Sequence, residues 1–188
     1  MSFEKPREIT DPKAMRALAH PVRLALLEAL TDAGTLTATE AGERVGESPA
    51  NASFHLRQLA KYGFVEEAEG GTGRRRPWKL RQLGMRWTDV QDDPETASAA
   101  RALSRITQER FLARARRGME ERLALPEEWR AVTGINQVRL YLTPEELKEI
   151  DEQIVALLLE RHADRRAPGP DVPEAAKRVE ILMLGYRI

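Results

Sequence analysis

One stretch of the sequence carries side chains able to recognise a nucleic acid. It begins at Ser48 and runs Pro-Ala-Asn-Ala-Ser-Phe-His-Leu-Arg-Gln-Leu-Ala-Lys-Tyr to residue 62. If the stretch is helical, Ala52, Leu56 and Leu59 share one face, which must turn toward a core. The opposite side, here called the outer face, is then displayed to solvent. It consists of Ala50, Phe54, Arg57 and Lys61, flanked by Asn51, Ser53 and Gln58.

The outer face has the chemistry that a phosphate-lined groove requires. No Asp or Glu lies between Ser48 and Phe64, so a polyanion would meet no like charge there. Asn51, Ser53, Phe54 and Arg57 are predicted to face base edges, with the phenyl ring offering apolar contact to thymine methyl groups. The hydroxyls of Ser48 and Thr37 are predicted to anchor phosphates. A competing interpretation has Phe54 packing under a neighbouring hairpin or against another subunit.

A group of cations follows the outer face. The stretches 64–69 and 76–81 are predicted strands, and the glycines of residues 70–73 permit the positive φ that a hairpin tip needs. We therefore expect a basic hairpin, or wing, suited to phosphates or to the narrow minor groove. Between Gly70 and Thr88 the chain has no acidic residue and six basic ones, namely Arg74, Arg75, Arg76, Lys79, Arg81 and Arg86.

Helix-start and helix-stop signals position these groups. Thr37 with Glu40 has the pattern of a capping box, and Gly46 is a natural helix end. Ser48 is a good N-cap, and the proline after it suits the first helical position. Two earlier helices are predicted as a platform beneath the helix-turn-helix, one opened by Asp11-Pro12 and running through Leu18, the other opened by His20-Pro21 and stopped by Gly34. Residues 1–10 are predicted to be an arm that is disordered or lies against a partner.

Three ordered segments carry a resemblance to a known family. Residues 17–30, residues 53–65 and the Arg-rich wing ending in Trp78-Lys79-Leu80 resemble the ArsR-type winged-helix transcriptional regulators of bacteria. The resemblance covers roughly residues 11–82 and implies a homodimeric DNA-binding regulator, usually a repressor. It would place residues 48–57 in the major groove, with Arg74–Arg76 beside the backbone or the minor groove.

The sequence departs from the metal-sensing branch of that family. Those sensors use cysteine pairs or clustered histidine and acidic ligands, whereas this chain has no cysteine. Its three histidines, His20, His55 and His162, lie far apart in the sequence. We therefore expect no metal site, and we interpret His20 as a helix-start residue and His55 as an edge residue of the core face.

The second half of the chain predicts a long helix followed by a small unit. From Asp93 to about Leu123 the apolar residues fall on two sides of a helix, which indicates two neighbours, one of them a twofold-related copy. Residues 137–142 and 178–186 read as strands on either side of a helix opened by a Thr143 capping box. Residues 167–173 are predicted to be a loop.

Composition narrows the class of protein. The 188 residues include 30 Lys or Arg and 30 Asp or Glu. Residues 1–86 hold 14 basic and 11 acidic side chains, and the remainder holds 16 and 19, so the N-terminal half is mildly positive. The chain lacks cysteine, a leader pattern and a long apolar stretch, which predicts a cytoplasmic protein without a membrane partner. No motif predicts catalysis, so we expect neither an enzyme nor a cofactor.

Together these observations predict an α+β fold that is mainly α. Residues 1–88 would form a winged helix-turn-helix DNA-binding domain, and residues 89–188 a long helix plus an α/β domain for dimerisation or effector binding. The expected partners are double-stranded DNA and a second copy of the chain. A protein-interaction adaptor is the alternative function. A small-molecule effector is a further candidate partner, and its candidate lining is Trp87, Trp129, Tyr141, Met183 and Tyr186.

Overall fold

A computed structural model of the protein describes residues 6–71, 76–82, 84–162, 165, 169 and 172–188. The fold is α+β and mainly α, as the sequence predicts. In chain order the elements are β1 (Arg7–Glu8), α1 (Pro12–Leu18), α2 (Pro21–Ala33), β2 (Thr35–Leu36), α3 (Ala38–Val45), α4 (Pro49–Lys61), β3 (Val65–Glu67), β4 (Trp78–Leu80), β5 (Met85–Arg86), α5 (Pro94–Glu121), a 3₁₀ turn (Arg122–Ala124), α6 (Glu127–Val132) and α7 (Pro144–His162).

The described residues divide into two compact units. Unit 1 lies within residues 1–107 and 164–173, and unit 2 lies within 108–163 and 174–188. The division therefore falls inside α5, which contributes its first half to unit 1. The predicted boundary between residues 88 and 89 concerns functional domains and stays a prediction.

The first four helices begin at the predicted start signals, and α1, α2 and α3 also end where the sequence predicts. Side chains of Asp11, Thr37 and Ser48 accept hydrogen bonds from backbone N–H groups of α1, α3 and α4. The Thr37 and Glu40 capping box is complete, and Gly46 ends α3 with a φ of 74°. Because these signals act within one turn of helix, they can be read from local sequence alone.

The wing is a three-stranded antiparallel sheet in the order β2-β4-β3. The predicted strands form over shorter ranges, and β2 joins them as a third strand that the sequence did not predict. Gly70 and Gly71 both have a φ of 93°, as a turn at this place requires. The rest of the tip, with Arg74 and Arg75, lies outside the described residues.

The prediction of an N-terminal arm is wrong for residues 6–10. β1 pairs in parallel with β5, and Ile9 is buried. The Arg7 guanidinium donates to the carbonyl oxygens of Gly63 at 2.7 Å and Tyr62 at 2.8 Å, and it lies over the Phe64 ring. This segment is therefore part of the fold of unit 1.

Unit 1 has a continuous apolar core. Four leucines, Leu26 and Leu30 of α2 and Leu56 and Leu59 of α4, are at most 1% exposed. Leu103 of α5 is fully buried in the same cluster. The core therefore holds α4 by its buried leucine face, and the opposite face of the helix remains exposed to solvent.

Unit 2 contains helices but no strand among its described residues. α7 forms as predicted, with the Thr143 hydroxyl accepting from the Glu146 N–H. The predicted strands 137–142 and 178–186 are wrong for the single chain, because neither stretch joins a sheet there. An apolar pattern alone cannot form a strand, since each strand requires hydrogen bonds from a neighbour. Part of the predicted loop, residues 167, 168, 170 and 171, lies outside the described residues.

The predicted effector site would lie against a small sheet of the C-terminal unit. No strand forms among the described residues of unit 2, so that part of the site is missing. Tyr141 and Tyr186 are exposed in the structure. The Trp87 indole N–H donates to the Ser104 hydroxyl at 2.8 Å and so has a local structural partner. None of the described helices combines the length and the apolar character that crossing a bilayer demands.

Candidate nucleic-acid interface

The outer face of α4 lies on the surface of unit 1. Ala50, Phe54, Arg57 and Lys61 are exposed, and half of the Phe54 surface is accessible. The flanking residues Asn51, Ser53 and Gln58 are half-buried, while Ala52, Leu56 and Leu59 are fully buried. The core pattern of α4 thus determines which side chains reach solvent.

A close approach between α3 and the following turn sets the position of α4. Gly42 of α3 is buried, and its carbonyl oxygen accepts the Glu47 N–H at 2.8 Å. A Cβ placed on Gly42 would lie 2.7 Å from the Glu47 carbonyl oxygen and 3.3 Å from the Ala52 Cβ. Only glycine therefore allows the turn to pack this tightly, and the turn leads directly into Ser48 and the outer face.

The start of α4 has an acidic neighbour that the sequence pattern did not reveal. The Ser48 hydroxyl accepts the Asn51 N–H at 3.2 Å, which leaves the hydroxyl proton available as a donor. The Asn51 side-chain amide donates to the Glu47 carboxylate at 2.6 Å. Glu47 precedes the acid-free stretch by one residue, so a carboxylate lies at the edge of the outer face after all.

The Thr37 hydroxyl is occupied by its cap. It donates to the Glu40 carboxylate at 2.8 Å and accepts the Glu40 N–H at 3.3 Å. A phosphate contact from Thr37 would require the hydroxyl to release Glu40. The role predicted for Thr37 as a phosphate anchor therefore receives no support from its hydrogen bonds.

The described wing cations face carboxylates of the opposing strand. Arg76 pairs with Glu67 at 2.8 Å, while Lys79 and Arg81 each approach Glu66 at 3.3 Å. The sequence count of basic residues missed this neutralisation, because cross-strand partners are distant in sequence. All three pairs are largely exposed, and such pairs contribute about 0–1 kcal/mol, so a phosphate could replace a carboxylate.

His20 and His55 lie far apart in sequence but touch in the fold. Their ring centroids are 4.6 Å apart, and the Nδ1 atoms of both rings are buried without a hydrogen-bond partner among the described residues. Burial lowers the pKa of His20, helped by the Arg23 charge. Burial also lowers the pKa of His55, helped by His20 and Arg23, while the Glu47 carboxylate opposes the shift for both rings. In the folded chain the neutral form of each ring is therefore favoured.

The histidine pair has the roles that the sequence predicts. His20 is the N-cap residue of α2, and His55 is buried at the edge of the α4 core face. The assumption that distance in sequence keeps the rings apart is wrong, because α2 packs against α4. Across the described residues no three His, Cys, Asp or Glu side chains come together as a metal site would require.

A basic cleft that the sequence analysis missed lies beside α4. The cleft has a volume of about 240 Å³, and Lys13, Arg16, Arg23, Gln58 and Tyr62 line it. Arg16 is paired with Glu95 at 2.7 Å, whereas the buried Arg23 Nε has no hydrogen-bond acceptor among the described residues. The sequence does show three cations on the two platform helices, α1 and α2. No local pattern, however, indicates that they lie close to Gln58, which flanks the outer face.

A protein-family model matches part of the chain. A family described as a helix-turn-helix domain matches residues 18–68, which include α2, α3, α4 and β3. Helix-turn-helix domains place their second helix in the DNA major groove. The match therefore supports a DNA-binding role in transcription regulation for this part of the chain. Comparison with curated proteins gives no match.

Proposed function

We propose that the protein is a sequence-specific, dimeric DNA-binding transcriptional regulator that reads the major groove with α4. The observation that supports this best is the exposed outer face of α4, which carries Phe54, Arg57 and Lys61 and no carboxylate of its own. A buried leucine face holds the helix rigidly on the core. The outer face of α4 is therefore a preformed surface for the DNA major groove rather than a mobile segment.

The contacts divide into those that read sequence and those that position the protein. Arg57 donates to base edges, and the exposed Phe54 ring contacts thymine methyl groups. Asn51 and Ser53 reach bases from the flank, although Asn51 must first release Glu47. Phosphates are contacted by the groups at the helix ends and edges. These are Ser48, Gln58 and Lys61 of α4, Arg74, Arg75 and Arg76 of the wing, and Lys13 and Arg23 of the basic cleft.

The proposed partner in regulation is a second copy of the chain. Helix-turn-helix proteins gain affinity by binding two half-sites about one helical turn apart, so an operator should be an inverted repeat. The resemblance to ArsR-type regulators favours a repressor, which acts by occupying its operator. Selection of sites from random duplex DNA tests whether the operator is an inverted repeat and whether the protein binds it as a dimer, because an inverted repeat requires a twofold protein. A selected site without internal symmetry would contradict the dimeric mode.

The base-reading role of Arg57 has a direct test. Arg57→Ala should weaken binding to the selected operator by about 1–3 kcal/mol and relax the preference at one base pair. Arg101→Ala is the matched control, because Arg101 is an exposed arginine on α5 outside the proposed interface. Mobility shifts with operator and random duplexes measure both effects. Equal losses on the two DNAs would show that Arg57 contacts only phosphates.

A protein-interaction adaptor is the second candidate function. Two observations favour it: the wing cations are paired with Glu66 and Glu67, and the Phe54 ring is half exposed as an apolar anchor would be. Salt-dependent binding to duplex DNA separates the two functions. A regulator binds the duplex with affinity that falls steeply as salt rises, whereas an adaptor shows little retention.

A further inference from the structure

The described residues of unit 2 form no buried core. None of its described residues is buried, in contrast to the core of unit 1. Of the 21 large apolar side chains that are exposed among the described residues, all except Phe54 and Val90 lie in unit 2. Soluble monomers rarely leave so much apolar surface in contact with water. The surface of unit 2 is therefore incomplete without another molecule.

The segment 178–186 is an apolar stretch that forms no strand in the described part of unit 2. It reads Arg-Val-Glu-Ile-Leu-Met-Leu-Gly-Tyr, and no hydrogen bond between backbone groups joins residues 179–186 to another described residue. Ile181 is 61% exposed and Leu184 is 59% exposed. Unpaired N–H and C=O groups on an apolar stretch are a template for a strand from another chain.

Contacts within unit 2 hold this segment in place. The Glu180 carboxylate accepts hydrogen bonds from both Nε and Nη2 of Arg114 on α5, the former at 3.1 Å. Near the other end, a Cβ on Gly185 would lie 3.3 Å from a methyl group of Leu147 on α7. The segment is thus fixed at both ends, with its backbone available between them.

The size of the apolar surface favours a second copy of the chain as the occupant. Burying one aliphatic side chain removes roughly 60–120 Å² of apolar area from water. If the exposed apolar side chains of unit 2 each lost half of this area, about 600–1,100 Å² per copy would be covered. A standard stable interface buries about 800 Å² per partner, so a twofold dimer would account for the whole surface.

The charges on the segment indicate its orientation. A parallel, in-register pair would place Arg178 against Arg178 and Glu180 against Glu180, and directly opposed like charges destabilise a sheet. An antiparallel pair centred on Leu182 places Arg178 against Tyr186 and Glu180 against the apolar Leu184. It is also the arrangement that twofold symmetry produces when a strand crosses the axis.

We propose that residues 178–186 pair antiparallel with the same residues of a second copy, forming a two-stranded ribbon across the dimer axis. The neighbouring apolar surface of unit 2 is then covered by the partner. The inference rests on the dimeric part of the proposed function and adds to it the surface that carries the dimer. It also explains why a strand pattern in the sequence has no strand in the single chain.

The absence of cysteine from the chain makes the test direct. Single cysteines are introduced at successive positions from 179 to 186 in the full-length protein, which is then oxidised and run on non-reducing gels. Directly opposed residues in an antiparallel pair have Cα atoms about 4.5–5.5 Å apart, within disulfide range. Only the position on the axis faces its own copy, so cross-linking should peak sharply at Leu182→Cys. Mixing chains that carry Ile181→Cys and Met183→Cys should give the mixed disulfide dimer.

Each outcome of the scan decides between arrangements. A sharp peak with symmetric loss on both sides supports the antiparallel ribbon. Comparable cross-linking at several positions along the segment indicates a parallel, in-register pair and overturns the proposal. No cross-link anywhere in the segment, while sedimentation shows a dimer, places the interface elsewhere and also overturns it. Val132→Cys is the control, because Val132 is 77% exposed in unit 2 but lies outside the segment.

A charge variant separates this proposal from DNA reading. Ile181→Lys should raise the dimer dissociation constant at least tenfold in sedimentation, because a lysine would be buried in the ribbon. Val132→Lys should leave the constant unchanged. Both side chains are exposed in the single chain, so neither change should unfold it. If Ile181→Lys stays dimeric, the ribbon is wrong; if wild-type dimers form but bind no duplex, the DNA-reading proposal fails instead.

Discussion

Replacing Gly42 by alanine tests whether the tight turn after α3 fixes the recognition helix. Alanine is the better helix former, so helix propensity alone predicts a gain of about 1 kcal/mol in the free energy of unfolding. The structure predicts the opposite sign. The new Cβ would lie 2.7 Å from the Glu47 carbonyl oxygen, well inside van der Waals contact.

The expected loss of unfolding free energy depends on which atoms must move to accommodate the new Cβ. The Glu47 oxygen belongs to the backbone, and it would have to retreat by roughly 0.5–1 Å to reach ordinary contact distance. Overpacking of this kind costs about 1–3 kcal/mol, and weakening the Glu47 N–H bond to Gly42 adds about 1 kcal/mol. After the propensity gain is subtracted, Gly42→Ala should lower the free energy of unfolding by roughly 1–3 kcal/mol.

Urea unfolding of the full chain, followed by circular dichroism, measures the effect. Gly118→Ala is the matched control, because Gly118 is an exposed glycine inside α5 and a Cβ added there would have no atom within 4 Å. It should raise helix stability by up to about 1 kcal/mol. The two identical substitutions should therefore shift stability in opposite directions. If Gly42→Ala stabilised the protein as Gly118→Ala does, the close approach of α3 to the turn would not exist in solution.

Three further predictions concern charge, pH and capping. Glu67→Gln removes the carboxylate that pairs with Arg76, and stability should change little because the pair is exposed. The slope of log K against log salt concentration for a random duplex, measured by fluorescence anisotropy, should steepen by about one. An unchanged slope would show that Arg76 does not reach DNA. Because burial lowers the pKa values of His20 and His55, the unfolded chain binds more protons below about pH 6.5. The melting temperature should therefore fall between pH 7 and pH 5, and His20→Asn should reduce the fall; an equal fall would remove the pair as its cause. Ser48→Ala should lower the free energy of unfolding by about 1 kcal/mol in urea titrations while Ser48→Asp retains it, and equal losses would exclude the cap.

The parts of the fold that could be predicted from sequence are those decided within a few residues. The start signals at Asp11, Thr37 and Ser48 predicted where α1, α3 and α4 begin, and Gly46 predicted the end of α3. The parts that could not be predicted depend on partners distant in sequence. β1 and β5 have only two residues each and no periodicity, so their pairing and the anchoring of Arg7 appear only in the fold.

The same division applies to the candidate site. Helical periodicity was enough to predict that Phe54 and Arg57 would be displayed. The ion pairs near them could not be predicted without the tertiary structure, because Glu66 contacts Lys79 only when β3 pairs with β4. A count of cations along the chain overstates the positive potential of a hairpin whenever the opposite strand is acidic. The basic cleft was missed for the converse reason, since its cations come from separate helices.

These charges show why the proposed pairing of unit 2 would matter for DNA binding. The wing cations that the structure describes, Arg76, Lys79 and Arg81, already face carboxylates, which should weaken the affinity of one copy for a single half-site. Joining two such copies makes the second contact intramolecular and can raise the overall affinity by about 10²–10⁴-fold without a new contact to DNA. In the proposed dimer, unit 1 would select the DNA sequence, and the pairing of unit 2 would determine whether two half-sites are bound with enough affinity to regulate. A signal that weakened the ribbon at residues 178–186 would release DNA without touching any residue of the outer face.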